Sequence, residues 1–338
     1  MRPELVALAA SQGGLVTRRQ AVLTGYTERE LRTHTAVAGP WVTVRRGVYV
    51  ERRFWEALDP LGQWRLRDRA AHLVMGVPHV LSHDSAARAH GIPLLRPTLD
   101  LVHATRPGVW GSRTEHGVKH HLARVQPQQV VIGGLRVTGM ARTVLDLGRE
   151  HGFETGLVAA DHALRRGLTR AELEAELEAM RCWPYIGRAR AAVDHSDPGA
   201  ENAGETLARN LVTELGHGRP RTQFPVRTEA GVFWCDLIVG CHVFEFDGRI
   251  KYLRAGAGGV ADRPVEDVLW DEKKRQQLIC AEGLGMSRII WEDFWGQARA
   301  RARERLRAEC AVTEARFGSR LPEHLARFAA TMRRTPAA

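Results

Sequence analysis

The chain's most chemically suggestive residues are the carboxylates of Val232–Lys251, V-F-W-C-D-L-I-V-G-C-H-V-F-E-F-D-G-R-I-K. Two extended runs, Val232–Val239 and His242–Asp247, flank Gly240-Cys241. Gly at the first central position suits a two-residue type II′ turn. That turn pairs Val239 with His242, Ile238 with Val243 and Leu237 with Phe244, and so sets Asp236 opposite Glu245 and Trp234 opposite Asp247. Side chains alternate along a strand, which puts Asp236, Glu245 and Asp247 on one face. Cys235, Leu237, Phe244 and Phe246 take the other, expected to be core. Like charges opposed across a sheet destabilise it. A divalent cation bound by carboxylate oxygens offsets the repulsion, with Mg²⁺ the usual ion beside phosphates and Mn²⁺ a substitute. A longer loop or a slipped register would instead leave the acids on a solvated face.

The flanking segments must position these acids. Asp197-Pro198 reads as an N-cap with Pro at the first helical position, opening a helix to about Leu215. Glu201 and Glu205 would lie one turn apart on it. An extended run, Gln223–Thr228, precedes the hairpin, and a Gly-rich loop, Ala255–Gly259, follows it. Then come a helix from Val265 to Glu282, a strand Ser287–Trp291 and an Arg-rich helix from Glu292. The expected order is α-β-β-β-α-β.

That order, with Glu205 on the first helix, Asp236 on the second strand and Glu245 on the third, resembles the PD-(D/E)xK nuclease superfamily. More closely, E-F-D-G-R-I-K at Glu245–Lys251 is similar to the E-x-D-G-x-x-H signature of endonuclease-like domains related to very-short-patch repair nucleases. The resemblance spans about residues 197–295. It implies a restriction-endonuclease-like core that cleaves phosphodiesters with metal-activated water. It also implies roles: Glu205, Asp236 and Glu245 as metal ligands, Asp247 assisting, and Lys251 steadying charge or orienting water. Two positions depart from the pattern. Asp247 stands where the superfamily has its Lys, and Lys251 stands where the closer signature has His.

The wider composition fits a DNA-directed protein. The 338 residues carry a formal charge of +10, and 44% are hydrophobic. The length suggests two or three domains with real cores. The basic balance favours a polyanionic partner, although Arg dominates Lys here as it does in GC-rich genomes. Five cysteines without C-x-x-C spacing fit a reducing cytoplasm rather than disulfides or structural zinc. No run approaches ~18 apolar residues, so no membrane span is expected. The N-terminus lacks the apolar stretch of a signal peptide.

Residues 3–50 read as a winged helix-turn-helix. Helix one covers Pro3–Ser11. Thr17 with Gln20 and Thr27 with Glu30 form capping boxes for helices two and three, the latter reaching Val37. Trp41–Val50 gives two strands around Arg45-Arg46-Gly47. In such a module Arg29, Arg32 and Thr33 would face the major groove of double-stranded DNA, and Arg45 and Arg46 its backbone or minor groove. A protein-facing third helix is the other use of this module. G-G-L-V-T-R-R-Q-A at Gly13–Ala21 and R-R-G-V-Y-V at Arg45–Val50 resemble the N-terminal region of AbiEi-type antitoxins. That resemblance implies DNA binding and a cognate toxin as possible partner, in a toxin–antitoxin or phage-defence system.

In the middle region, Asp59-Pro60 opens a helix to Val74, and Ser82 caps a helix within Val80–Gly91. S-H-D-S-A-A-R-A-H-G at Ser82–Gly91 resembles a stretch in the same antitoxin-like proteins. Strands are expected at Leu99–Ala104 and Gln129–Thr138, a helix with Arg142 and Asp146 paired across one turn, and a helical pair Phe153–Arg166 and Thr169–Met180. His83, His90, His116, His120 and His121 read as structural or solvated, because nothing in their spacing forces them to converge as zinc ligands must. Gly133-Gly134 and the Gly256–Gly259 loop match no nucleotide-binding fingerprint. Lys273 and Lys274, in the helix after the hairpin, would either track phosphate or form a solvated face.

The reading is an α/β (α+β) multidomain protein: residues 1–51 a winged helix-turn-helix, 52–195 a mixed region, 196–310 a nuclease-like domain, 311–338 a helix and tail. Two functions compete. One is a Mg²⁺-dependent endonuclease, and the other is a non-catalytic DNA-binding regulator or antitoxin that keeps the fold without its chemistry.

Overall fold

The structure, a computed structural model, describes residues 1–95, 101–109, 112–122, 128–248 and 265–332, with side chains of the 265–281 helix from Trp270 onward. Lys251 and the Ala255–Gly259 loop lie outside the described residues. Among the described residues the fold is mixed α/β, with three sheets. It divides into two compact units, Met1–Ala163 with Gly167–His195, and Ser196–Ala338 with Leu164–Arg166.

The first unit opens with α1 (Pro3–Ser11), β1 (Leu15–Thr17), α2 (Arg18–Leu23), α3 (Glu28–His34), β2 (Trp41–Arg45) and β3 (Val48–Glu51). Both capping boxes form: Thr17 and Thr27 accept from the N–H of Gln20 and Glu30, whose side chains reach back. Helix α3 stops at His34, short of the expected Val37. The three strands pair antiparallel in the order β1-β3-β2. Trp41, Tyr49, Leu5, Ala21 and Leu31 form one cluster. The other face of these strands, Leu15, Val48 and Val50, packs on Leu66 and Ala70. Those two residues belong to the later helix α5, so the cut expected at 51/52 falls inside a shared core.

Beyond α4 (Arg52–Ala57) and α5 (Pro60–Val74), the unit contains β4 (Val80–Leu81), α6 (His83–His90), β5 (Val102–Arg106), β6 (Arg113–Glu115), β7 (Val118–Leu122), β8 (Gln129–Ile132) and β9 (Leu135–Thr138). It closes with α7 (Met140–His151), α8 (Phe153–Arg165), α9 (Arg170–Ala179) and α10 (Ile186–Asp194). The six strands form one mixed sheet, β6-β7-β5-β4-β9-β8. Local signals explain the helix ends. Asp59 accepts from Gly62 N–H with Pro60 at the first position, and Thr169 and Glu172 close a capping box. The single strand expected over Gln129–Thr138 is a hairpin, turned at Gly133 and Gly134 with φ of 55° and 80°. Ser82 precedes α6 but makes no side-chain cap; its hydroxyl instead meets His83 and Thr105.

The second unit runs α11 (Ala203–Thr213), β10 (Arg221–Thr228), β11 (Gly231–Val239), β12 (His242–Asp247), α12 (Val265–Ala281), β13 (Gly285–Ile290), a 3-10 turn (Trp291–Phe294), α13 (Gly296–Phe317) and α14 (Glu323–Thr331). The sheet order is β10-β11-β12-β13. The first three strands are antiparallel, and β13 joins β12 in parallel after the α12 crossover. Among the described residues no helix is long and apolar enough to cross a membrane.

One expectation is corrected here, and the alternative of a solvated face is set aside. Helix α11 starts at Ala203, not Pro198: Asn202 is its N-cap, accepting from Glu205 N–H at 3.0 Å. Asp197 instead accepts from Gly199 N–H and the Thr222 hydroxyl, a local turn that outcompetes the helix. Glu201 is therefore in the approach to the helix, not one turn before Glu205 on it. The hairpin also lacks a wet face. Ile238 and Val243, which share the parity of the acids, are 1% and 0% exposed and cluster with Ile279 of α12 and Leu325 of α14. Leu237 and Phe244 are buried as well. Helices cover both faces of this sheet, as a strand joined in parallel through a helical crossover requires.

Candidate acidic site of the second unit

The turn at Gly240 carries the geometry. Its φ is 56°, and the pairs Val239↔His242, Ile238↔Val243 and Leu237↔Phe244 follow. The ladder ends there. Beyond it Asp236 turns its side chain to β12 and accepts from Phe246 N–H at 2.9 Å. The carboxylate thus stays against β12, next to Glu245.

On the other side of β11, the pairs Thr222↔Leu237 and Phe224↔Cys235 bracket Gln223 and Asp236. Gln223 has φ of 50°, a left-handed conformation that costs a non-glycine residue roughly 1–2 kcal/mol. The alternation breaks here. Cys235 packs with Ile238 and Val243 rather than staying with Leu237, as a regular strand would keep it. The twisted backbone aims Gln223 at the acids: its Nε2 donates to Glu205 Oε2 at 3.1 Å. Strain of this kind persists where the surroundings over-determine it, and it gathers at functional sites. The sequence carried only a weak cue to Gln223, a polar residue heading an apolar run.

Glu205 is 6% exposed and caged. Besides Gln223 it accepts from Glu201 N–H at 2.7 Å and Asn202 Nδ2 at 2.6 Å. The preceding Gly204 permits the close approach of α11 to β12, since a Cβ there would lie 2.1 Å from the Phe246 ring. Burial, then the charge of Asp236, pushes the Glu205 carboxyl up to about 7. Glu245 is 7% exposed and is pushed up by the same two causes, against the pull of Arg275. Two carboxyls raised first by burial and then by a third carboxylate mark a partly desolvated acid cluster.

Two arginines supply part of that charge. Arg275 of α12 donates to Glu245 Oε1 at 3.0 Å and to the Trp234 carbonyl at 2.8 Å. Arg288 of β13 reaches Asp247 at 3.2 Å, and Glu272 bridges both, at 3.3 Å from Arg275 and 2.9 Å from Arg288. Lys273 and Lys274, between Glu272 and Arg275 on the helix, are exposed, so the basic run divides into two solvated lysines and one inward arginine.

Asp236, Glu245, Asp247, Gln223, Arg275 and Arg288 all line a single cavity of ≈ 290 Å³. Glu205 is not part of its wall and connects through Gln223. Among the described residues these acids do not form a ready-made set of three ligand atoms within 4.8 Å; that arrangement occurs instead at His83, His103 and His121 in the first unit. Oxygen donors are the chemistry that Mg²⁺ or Mn²⁺ takes; Asp236 and Glu245 are the residues that could offer them here, with Glu245 paired to Arg275.

The residues expected to touch DNA stand as follows. Arg29, Arg32 and Thr33 on α3 are exposed, as is Arg46 between β2 and β3, while Arg45 is half-buried. Arg32 also donates to the Glu28 carbonyl, and Thr33 to that of Arg29.

No protein-family model matches the chain, and no curated protein matches it. Among solved structures it is similar to the RV2827C protein from Mycobacterium tuberculosis, with 13% identity and a TM-score of 0.38 over 60% of this chain and 78% of that one.

Proposed function

We propose that the second unit is a divalent-cation-dependent nuclease domain of the PD-(D/E)xK type, in a chain whose first unit binds double-stranded DNA through a winged helix. The observation that carries this is the meeting of Asp236, Glu245 and Asp247 in one cavity at the open end of the hairpin, with Glu205 linked through strained Gln223. Like charges are not buried together without a counter-charge. A bound Mg²⁺ or Mn²⁺ would supply it, polarise a phosphoryl oxygen and lower the pKa of a water. Asp236 and Glu245 would hold the ion. Glu205 and Gln223 would set the position of that pair, and Asp247 would orient groups at the cavity mouth. Arg275 and Arg288, released from the acids, would face phosphate oxygens.

In the first unit, the support is the exposed row Arg29, Arg32 and Thr33 on a capped third helix, beside a two-stranded hairpin tipped by Arg46. A second reading, a DNA-binding regulator or antitoxin without catalysis, is favoured by the Arg275–Glu245 ion pair, an internal cation where the metal would sit.

The test is calorimetric titration of Mg²⁺ and Mn²⁺ with and without duplex DNA, beside an Asp236→Ala/Glu245→Ala variant, followed by a cleavage assay. Binding and cleavage that the variant loses support the nuclease. DNA binding with no cation binding in either protein selects the regulator.

A further inference from the structure

We propose that His83, His103 and His121 of the first unit form a binding site for a borderline divalent cation of the Zn²⁺ class, with an open coordination position facing a cationic cavity. The site is distinct from the acidic one and uses different chemistry. One nitrogen from each imidazole lies within 4.8 Å of the other two. His103 Nδ1 and His121 Nε2 are 3.1 Å apart. Two nitrogens bound tetrahedrally to one zinc at ~2.0–2.1 Å lie roughly 3.4 Å apart, so this pair already has ligand spacing. His83 stacks on His121 with ring centroids 3.6 Å apart and brings the third nitrogen of the set.

Three separate elements build the cluster. His83 opens α6, His103 sits on β5, and His121 sits on the parallel neighbour β7. His83 holds φ of 47°, a strained backbone for a residue with a side chain. Behind the imidazoles stand two buried carboxylates. Asp84 lies 4.0 Å from His103 Nε2, and Asp146 lies 3.8 Å from His83 Nε2. These contacts are longer than hydrogen bonds, and the His83 ring is held by a hydrogen bond between its Nδ1 and the Ser82 hydroxyl at 3.0 Å. Asp84 also meets His151 at 2.5 Å, and Asp146 is gripped by Arg142 and Arg149 at 2.8 Å each.

The protonation state suits a ligand. Burial lowers all three histidines: His103 to about 4 against the pull of Asp84 and Glu150, and His121 to about 2 and His83 well below its usual value with neighbouring positive groups adding to the effect. Neutral imidazoles keep their lone pairs at physiological pH, and imidazole selects Zn²⁺ and its transition-metal neighbours over Mg²⁺. His83 and His121 also line a cavity of ≈ 600 Å³ with Lys119, Glu150, Arg142, Arg149 and Trp183, where Lys119 pairs with Glu150 and both arginines pair with Asp146, leaving an excess of lining cations. A metal with three protein ligands keeps a position for water or substrate, and these cations suit an anionic group there.

The test uses the full chain, stripped with chelator and titrated with Zn²⁺ against a competing chromophoric chelator at pH 7.5. The expected result is one equivalent that survives Asp236→Ala/Glu245→Ala and is weakened more than about 100-fold in His103→Asn/His121→Asn. X-ray absorption on the wild-type zinc form reads the ligands without relying on a variant that folds, and should show imidazole nitrogen. Absence of a stoichiometric site, retention in the histidine variant, or sulfur or carboxylate ligation at the zinc would overturn the proposal.

Discussion

Arg275 and Glu245 form a mostly buried ion pair at 3.0 Å, with the arginine side chain 20% and the glutamate 9% exposed. The pair joins α12 to β12, and it fixes a carboxylate that the proposed reaction needs free. Removing the arginine strands a buried charge. A fully buried pair costs ~3–5 kcal/mol to break in this way, and the partial exposure of Arg275 reduces that to about 2–3 kcal/mol. Arg275→Ala is therefore expected to lower stability by that amount in chelator and to tighten Mn²⁺ binding at Asp236 and Glu245. A destabilised variant whose Mn²⁺ affinity also falls would show that Arg275 supports the site instead of competing for it.

Gln223 allows backbone strain to be separated from its hydrogen bond. Gln223→Ala keeps the left-handed φ and removes the hydrogen bond to Glu205, while Gln223→Gly removes the same bond but relieves the strain. Urea midpoints should place the alanine variant about 1 kcal/mol below the glycine variant. If the proposed nuclease reading holds, both should lose cleavage, because Glu205 is no longer linked to the cavity. Equal stability of the two would mean that the backbone at 223 is not strained in solution.

The surface proposed to face DNA makes a salt-dependent prediction. Arg29, Arg32 and Arg46 are exposed on α3 and the β2–β3 turn. Replacing all three with alanine should flatten the slope of log affinity against log salt by roughly 1 for each phosphate that is no longer neutralised. Fluorescence anisotropy with a short duplex measures this. An unchanged slope would remove this face from the DNA interface.

The two units should respond to pH in opposite directions, measured in chelator. Glu205 and Glu245 have raised native values, so their contribution is fully present below the usual glutamate value and is lost as pH climbs to about 7. His103 and His121 have lowered native values, so theirs is present above 6.5 and is lost as pH falls toward about 4 and about 2. In the first unit His83, also lowered, adds to these two while raised His151, Asp146 and Glu176 work against them, and in the second unit His242, lowered to about 4, works against the two glutamates. Between pH 7 and 5 the second unit should gain and the first should lose stability, each on the order of 1–3 kcal/mol. Hydrogen exchange, corrected for its intrinsic pH dependence, resolves the units separately. Parallel shifts would contradict the assigned protonation states.

What the sequence determined by itself lies within a few residues of its cause. Thr17, Thr27, Asp59 and Thr169 cap the helices they precede, because a cap needs only its own side chain and the next turn's N–H groups. Gly240 set the hairpin register, since a two-residue turn leaves the flanking strands one pairing. The element order of the second unit was likewise legible from periodicity and punctuation. Where two local signals competed, the choice passed to longer-range interactions: Asp197 was drawn into a turn with Thr222, leaving the cap of α11 to Asn202.

Tertiary structure alone decided the chemistry of the clusters. Helices on both faces of the second sheet bury Glu205 and Glu245 and raise both, which strand alternation alone could not foresee. The left-handed Gln223 breaks the alternation and recruits a side chain from a neighbouring strand. Arg275 and Arg288 come from separate elements to meet Glu245 and Asp247. His83, His103 and His121 are far apart in the chain, and only the packing of α6 on paired β5 and β7 brings them together. Spacing in sequence encodes neighbours along one helix or across one turn. Convergence from three elements depends on the sheet order and on which helix covers it, and both are set by the whole core.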